Sequence, residues 1–359
     1  MDAAHVRHLR QGSHLLRAPA ADLVRTAAHM TATQAQEFWG GRWALGVRTA
    51  GAPVLSQVDA AFDRGELVRA WTQRGTLHIV SARDLGWILQ VTRDRQLRQF
   101  AGVRRAHGIP EEHVDTAARA VTAALAGGNR LTRAEFAAVL AGAGVEPTGM
   151  RANLLLSALA LREDVVLGPV IPREGAPTRD QYLVAPGDWI ADAATPADPV
   201  AELFVGYIRS HGPAGVADFA WWAGMPLGAA RAAREAAGDR VVDTGEGMLV
   251  VPGAGSEAGV DDADEGGVVA LPPFDEYYLS YADRTLACAD GFTARVGPSI
   301  QGLVRPVLVA RGEVAGLWSH SMAVGRHHRM PVAELFGHLD VPASEVEAAL
   351  ARVSRFVRG

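Results

Sequence analysis

The amino-acid sequence predicts an α+β protein, mainly helical, with three tandem winged-helix units, a C-terminal β-rich segment and a final helix. Apolar residues recur at helical spacing through most of residues 1–252. Three times, such helical patterns are followed by two short β-prone runs around a turn, which indicates a hairpin. Helices followed by a hairpin are the layout of a winged helix, and 359 residues are enough for several such units.

The first unit is assigned to residues 1–108. Asp22 favours a helix N-terminus, because a carboxylate there interacts well with the free backbone amides. Met30 ends that helix and Phe38 begins the next, so the residues between them are predicted to be extended. Gly65 is a normal helix stop. The predicted elements are helices His5–Leu16, Ala20–Met30, Phe38–Val47 and Leu55–Arg64, and a hairpin of Glu66–Thr72 with Thr76–Val80.

The second and third units, residues 109–192 and 193–252, repeat this pattern. Thr132 followed three residues later by Glu135 is a capping box, which marks a helix start. The second unit is predicted to contain helices Glu112–Ala126, Leu131–Leu140 and Arg151–Leu161 and a hairpin of Val165–Val170 with Gln181–Val184. The third is predicted to contain helices Pro199–His211, Gly215–Gly224 and Leu227–Ala237 and a hairpin of Val241–Val242 with Met248–Val251.

The remaining residues are divided into a loop and a β-rich end. Residues 253–267 are Gly-rich and acidic, which predicts a solvated loop. The β-rich segment, residues 268–359, is predicted to contain a strand at Val268–Leu271, a hairpin of Val304–Ala310 with Glu313–Trp318, and a final helix at Ser344–Val357.

Composition restricts the kind of protein and of site. No apolar run is long enough to span a membrane and no signal-peptide core is present, so we expect a cytoplasmic protein with no membrane partner. The single Cys288 excludes an intrachain disulfide and a cysteine-rich zinc site, and we predict no metal and no cofactor. The chain contains 35 arginines and no lysine, which excludes a lysine Schiff base.

Positive charge is concentrated at the N-terminal end. Residues 1–108 contain 15 Arg against 8 Asp and Glu, whereas residues 109–359 contain 20 against 32. This asymmetry favours contact between the first third of the chain and a polyanion, with an ordinary soluble surface as the alternative. The run Arg326-His-His-Arg329 is a second candidate for phosphate contact, and a solvated turn is its alternative.

Gln34-Ala35-Gln36 is the candidate catalytic motif. On an extended segment the two glutamine side chains point the same way, because side chains alternate with period two. Two convergent amides supply four donors and two acceptor oxygens, which can hold a water molecule without strongly deprotonating it. The reaction would therefore need a good leaving group. The alternative is that both are surface residues beside a buried Phe38.

Several other residues have two readings each. His78 is either a support of the active site or a hydrogen-bonded core histidine. Asp275 and Glu276 are a possible acid/base pair, but the prolines before them favour a structural turn. Arg284 is expected to pair with Asp283 or Asp275, and phosphate binding is the alternative. Trp221 and Trp222 are expected in the core, and His327 and His328 lack the third ligand that a metal site needs.

The chain resembles the AlkZ/YcaQ-like winged-helix DNA glycosylases, which excise bulky alkylated bases and unhook interstrand crosslinks. The residues that carry the resemblance span almost the whole chain in order: Gln34-Ala-Gln36, Arg74-Gly-Thr-Leu-His78-Ile-Val, Gly215–Gly224, Leu271-Pro-Pro-Phe-Asp-Glu276, Tyr281-Ala-Asp-Arg284 and Gly316-Leu-Trp318. The family motif is Gln, an apolar residue, then Gln or Asp. With Gln at the second position, this chain resembles the subgroup that is tied to self-resistance against DNA-alkylating natural products.

The resemblance implies a monofunctional glycosylase in which Gln34 and Gln36 are catalytic. Its partner would be double-stranded DNA containing alkylated guanine, bound by a monomer associated with the nucleoid, and His78 and Asp275 would support the active site. The alternative is a non-catalytic winged-helix DNA-binding protein or transcriptional regulator, although no dimer helix is evident. The expected DNA-binding residues are Arg42, Arg74, Arg326, His327, His328 and Arg329.

Overall fold

The computed structural model describes residues 1–253 and 267–359. Almost all of the acidic loop predicted at residues 253–267 therefore lies outside the described residues. The fold is α+β and mainly helical, as predicted, and its sheets are antiparallel. None of the described helices is long and apolar enough to cross a membrane.

The first third of the chain places a short strand between helices. Asp22 caps the second helix by accepting the N–H of Arg25 at 2.8 Å, as its position predicted. The short strand lies antiparallel to the second strand of the hairpin that follows. The elements are α1 (Ala3–Ser13), α2 (Leu23–Met30), β1 (Thr33–Gln34), α3 (Phe38–Val47), α4 (Leu55–Asp63), β2 (Leu67–Trp71) and β3 (Leu77–Ser81).

A long helix, α5 (Leu85–Ala106), follows the hairpin. It has no counterpart among the elements predicted from the sequence. Its first turns bury Trp87, Ile88 and Leu89, and its later turns are mostly exposed. It packs against the helices Arg151–Leu161 and Pro199–His211, and so connects the first third of the chain to the next two segments.

The order helix, short strand, two helices and hairpin then recurs. The capping box is present, since Thr132 Oγ1 accepts the N–H of Glu135 and the Glu135 carboxylate accepts that of Thr132. In the last repeat a bridge between Ala214 and Leu249 takes the place of the short strand. The elements are α6 (Glu111–Leu125), β4 (Arg130–Leu131), α7 (Arg133–Gly142), α8 (Arg151–Leu161), β5 (Val166–Val170), β6 (Gln181–Val184), α9 (Pro186–Trp189), α10 (Pro199–His211), α11 (Val216–Ala223), α12 (Leu227–Ala237), β7 (Val242–Asp243) and β8 (Leu249–Val250).

The first two hairpins join into one six-stranded sheet with the order β1-β3-β2-β5-β6-β4. The two halves meet where Arg69 of β2 is paired with Leu167 of β5. The third hairpin, β7–β8, stands apart. The division into winged-helix units at 1–108, 109–192 and 193–252 stays a prediction, which the repeated order of elements supports.

The C-terminal segment forms a four-stranded antiparallel sheet that shares a core with α3. Trp43 of α3 packs against Phe356 with ring centroids 5.0 Å apart, and its Nε1 donates to the Ala270 carbonyl at 2.8 Å. Residues 275–280 lie against β1, where Glu276 accepts the Gln34 N–H. The elements are β9 (Val269–Leu271), α13 (Glu276–Leu279), α14 (Asp290–Val296), β10 (Val307–Ala310), β11 (Glu313–Ser319), β12 (Val332–Leu335) and α15 (Ala343–Arg358).

Candidate active site

The backbone of the Gln34–Gln36 motif is extended and paired with β3. Gln34 lies opposite His78 in the register of β1 and β3, and the Ala35 N–H donates to the Leu77 carbonyl at 2.8 Å. Ala35 is fully buried against α3, where a Cβ on Gly41 would lie only 2.5 Å from the Ala35 Cβ. A glycine is therefore needed at position 41 for the motif to approach the helix so closely.

The two glutamine side chains differ in exposure and in partners. Gln34 is buried, and its Oε1 accepts the Gln36 N–H at 3.0 Å. Gln36 is exposed, and its Oε1 accepts the Leu77 N–H at 3.3 Å. Each oxygen of the predicted clamp therefore already accepts one backbone hydrogen bond. Each keeps a second lone pair with which to bind water.

Arg69 holds the motif from the sheet side. It donates from Nε to the Ala35 carbonyl at 2.9 Å and from Nη2 to the Gln36 carbonyl at 3.1 Å, and its guanidinium lies 4.9 Å from the Phe38 ring. Burial lowers the pKa of Arg69 to about 9. It makes no ion pair within the described part of the chain, so its charge is stabilised by carbonyls and an aromatic face. The sequence reasoning missed this residue.

Glu276 holds the motif from the opposite side. Its Oε1 accepts the Gln34 N–H at 2.7 Å, and its Oε2 accepts from Trp222 Nε1 at 3.0 Å and from the Ser280 hydroxyl. His211 Nε2 lies 3.4 Å from the same oxygen. One buried carboxylate therefore connects the motif, α11 and α13.

The carboxylate of Glu276 is ionised. Burial by itself raises its pKa, but the groups around it, His211 foremost, bring the pKa down to about 2. Burial also lowers the pKa of His211, so that imidazole is neutral at neutral pH. The N–H and O–H donors, more than a full positive charge, therefore stabilise the carboxylate.

His78 is fully buried beside Gln34. Its Nδ1 lies 3.0 Å from Thr72 Oγ1 and 3.1 Å from the Thr76 carbonyl. Since Thr72 donates its own proton to Gln73, the network assigns the hydrogen to Nδ1 and leaves a lone pair on Nε2. That Nε2 has no hydrogen-bond partner among the described residues. Burial lowers the pKa of His78 to about 4, so it is neutral at neutral pH.

A cleft of about 400 Å³ opens at Gln36. Trp39 and Arg69 line one side, and the loop after β11 lines another with His320 and Met322. That loop continues into the Arg326–Arg329 turn, in which both terminal arginines are exposed. The exposed glutamine of the motif and the basic turn therefore lie on connected parts of the surface.

A family model for AlkZ-like DNA glycosylases matches residues 27–356. The chain belongs to the AlkZ-like DNA glycosylase family. Of the two readings of the sequence, an enzyme and a non-catalytic regulator, this membership establishes the enzyme. The solved structure of Streptomyces sahachiroi DNA glycosylase AlkZ is similar, with a TM-score of 0.77 and 21% identity over 99% of this chain and 96% of that one. No curated protein sequence matches the chain.

Two of the residues assigned to this glycosylase's site serve the fold instead. Arg42 is wrong as a DNA contact, because it is fully buried and donates to Asp59 at 2.6 Å and to the Thr178 carbonyl at 2.7 Å. Asp275 makes no hydrogen bond with either glutamine of the motif in the described structure. It forms a buried two-bond ion pair with Arg48, at 2.7 and 2.9 Å, which agrees with the structural turn that its prolines favour.

Two further expectations on the glycosylase are wrong in an informative way. Trp222 is buried as predicted, but Trp221 is 43% exposed. Arg284 pairs with neither Asp283 nor Asp275; the Asp283 carboxylate instead accepts from Thr285. Among the described residues, no group of three His, Cys, Asp or Glu side chains is arranged to hold a metal ion.

Proposed function

We propose that this glycosylase excises bulky N7-alkylguanine adducts from double-stranded DNA by hydrolysis, with Gln34 and Gln36 positioning the attacking water. The observation that carries the proposal is that the backbone of the motif is fixed while one of its side chains is exposed. Its backbone is fixed on one side by Arg69 and on the other by Glu276, while the Gln36 side chain is exposed at a cleft. Catalytic groups held in this way are preorganised for the transition state.

The chemistry of the adduct fits a site built from amides. Guanine alkylated at N7 is cationic, so it departs without protonation by a general acid. Cleavage of its bond to deoxyribose passes through an oxocarbenium-like transition state, as in glycoside hydrolysis. The partial negative charge of two amide oxygens stabilises the positive charge that develops on the sugar and orients water toward it. Without any lysine, the chain has no lysine for a lyase step, so the reaction stops at base release.

An open cleft suits a large adduct. A bulky group cannot be swung fully into a tight pocket as in conventional base flipping, whereas a cleft beside Gln36 leaves it in solvent. The same argument extends to interstrand crosslinks, whose two linked bases remain in the duplex. We propose that one copy of the chain binds the duplex through Arg74 and through the turn formed by Arg326, His327, His328 and Arg329, and that its biological role is self-resistance to a DNA-alkylating natural product.

The proposal is tested by single-turnover excision of N7-methylguanine and of a natural-product adduct from an oligonucleotide duplex. Gln34→Ala and Gln36→Ala should each lower the excision rate by roughly 10²-fold with little change in DNA affinity, since each removes one positioned polar group. Gln90→Ala, at an exposed glutamine of α5, is the matched control and should excise at the wild-type rate. Wild-type rates in both motif variants would refute the assignment.

A further inference from the structure

An exposed tryptophan lies on α11, the helix that is connected to the motif through Glu276. Trp221 on α11 is 43% exposed, while its neighbour Trp222 is fully buried and bonded to Glu276. The Trp221 ring does not move freely, because its Nε1 donates to the Leu279 carbonyl at 3.0 Å. A large aromatic ring that is both exposed and fixed in orientation is more typical of a binding surface than of a solvent-facing helix.

Two arginines accompany this ring. The guanidinium carbons of Arg284 and Arg74 lie 5.1 and 5.9 Å from its centroid. Within residues 1–253 and 267–359, neither arginine forms an ion pair with a carboxylate. Glu276 interacts with Arg74 only at a distance, because its oxygens are occupied by the donors described above. The positive charge around Trp221 is therefore not neutralised by direct contact.

A cleft of about 200 Å³ adjoins Arg74. It lies between the β2–β3 turn, α5 and the end of α11, and Arg95 and Gln99 contribute to its wall. Gln73, which also lines it, is only 1% exposed, and its Nε2 has no hydrogen-bond partner among the described residues. An unsatisfied buried donor beside Arg74, which has no carboxylate partner in the described structure, indicates a place where an anionic or strongly accepting group binds.

We infer that Trp221, Arg74 and Arg284 form a platform on which an unpaired nucleobase stacks while the adjoining phosphate contacts the arginines. Nucleic acid combines an anionic backbone with aromatic faces, which is the chemistry that this surface complements. In a duplex the base faces are covered by neighbouring bases, so the ligand is a base that has lost its partner. The Gln34 N–H and the Trp222 indole donate to the same carboxylate, so the helix that carries Trp221 is connected to the motif through Glu276.

This inference rests on the proposed function only in placing the unpaired base at a lesion. It is tested by fluorescence anisotropy with two duplexes of equal length. One is intact, and the other carries 2-aminopurine opposite an abasic-site analogue. The wild type should bind the second roughly tenfold more tightly, the scale of one base–aromatic stack, and should quench the 2-aminopurine emission.

Substitutions separate stacking from charge. Trp221→Ala should abolish both the preference and the quenching, whereas Trp221→Phe should retain most of each because a ring remains. Leu227→Ala is the matched control, since Leu227 is equally exposed at 43% on the neighbouring helix α12, and it should behave as the wild type. Arg284→Gln and Arg74→Gln should weaken binding of both duplexes.

Trp221→Ala protein that keeps the wild-type preference and quenching would overturn the inference, even if the arginine variants bind weakly. Equal loss in Trp221→Ala and Leu227→Ala would also overturn it. Wild-type excision of N7-methylguanine, measured in parallel, distinguishes the two proposals. A folded wild type that shows the preference without excising would refute the proposed function and leave the platform standing.

Discussion

Replacing Glu276 by glutamine changes one atom of the side chain and tests whether the motif depends on a carboxylate behind it. The carboxylate accepts from the Gln34 backbone, from Trp222 and from Ser280, all in a buried setting. Glutamine has a single acceptor oxygen. Its NH₂ group would therefore face an N–H or O–H donor at either of the two carboxylate oxygen positions. If the oxygen stays with Gln34, the indole N–H of Trp222 faces another N–H.

The expected magnitudes follow from these contacts. A buried donor left without an acceptor costs about 1–3 kcal/mol, and loss of charge from the bond to the Gln34 N–H roughly halves the strength of that bond. We expect Glu276→Gln to lower the free energy of unfolding by about 2–4 kcal/mol. A shift of Gln34 by a fraction of an ångström should lower the single-turnover excision rate by roughly tenfold to a hundredfold. Affinity for DNA should change little.

The neighbouring carboxylate supplies the control. Asp275→Asn weakens a fully buried ion pair with Arg48, so we expect it to cost as much stability, about 3 kcal/mol or more. Asp275 contacts neither glutamine, and its variant should excise at close to the wild-type rate while folded. Urea denaturation and N7-methylguanine excision are measured on both. The reasoning would be refuted if the two variants lost activity in proportion to their stability, or if Glu276→Gln excised normally.

Three further predictions concern charges. Arg69→Gln should lower the free energy of unfolding by about 2 kcal/mol and also slow excision, because the carbonyls of Ala35 and Gln36 lose their donors; denaturation and excision measure this. Burial lowers the pKa of His29 to about 4, so between pH 6.5 and 4 the unfolded chain binds more protons than the folded chain. The free energy of unfolding therefore decreases as the pH is lowered through this range. His29→Gln should reduce that slope by at most about 1.4 kcal/mol per pH unit in denaturation curves. Arg326→Gln should reduce the slope of log affinity against log salt by about 0.9 if it contacts phosphate, and an unchanged slope would exclude that contact.

Local signals in the sequence were enough to predict most of the elements. The capping residues Asp22 and Thr132 mark helix starts because their side chains satisfy nearby amides. The two β-prone runs around Gly75 similarly identified the first hairpin. These features depend on residues that are close together in the chain, which the sequence displays directly.

Long-range pairing was not predictable in the same way. The first two hairpins join through Arg69 and Leu167, which are far apart in the sequence, and nothing local specifies that edge. Helix α5 was missed for a related reason. Its arginine-rich second half has no continuous apolar face, and only tertiary packing of its first turns reveals why it is stable.

In the active site, too, local sequence identifies some residues, whereas others are brought in only by the fold. Gln34 and Gln36 are neighbours in sequence, so their spacing alone identifies them as a pair. The groups that hold them come from elsewhere, namely Arg69 in β2 and Glu276 more than two hundred residues later. From the sequence, Glu276 is considered only as a partner of Asp275, because the two are adjacent in the chain. In the fold they have different partners: Glu276 accepts from Gln34, and Asp275 pairs with Arg48.

The arginines show why net charge is a poor guide to a binding surface. Of the 15 arginines in residues 1–108, five are buried, and they hold carbonyls, carboxylates or aromatic rings inside the protein: Arg10, Arg42, Arg48, Arg69 and Arg104. The charge excess of this segment therefore overstates what it offers to DNA. Arg74 and Arg284 lie in different thirds of the chain, yet both approach Trp221 without a carboxylate partner in the described structure. A site for DNA is thus better sought where cations lack partners than where they are most numerous.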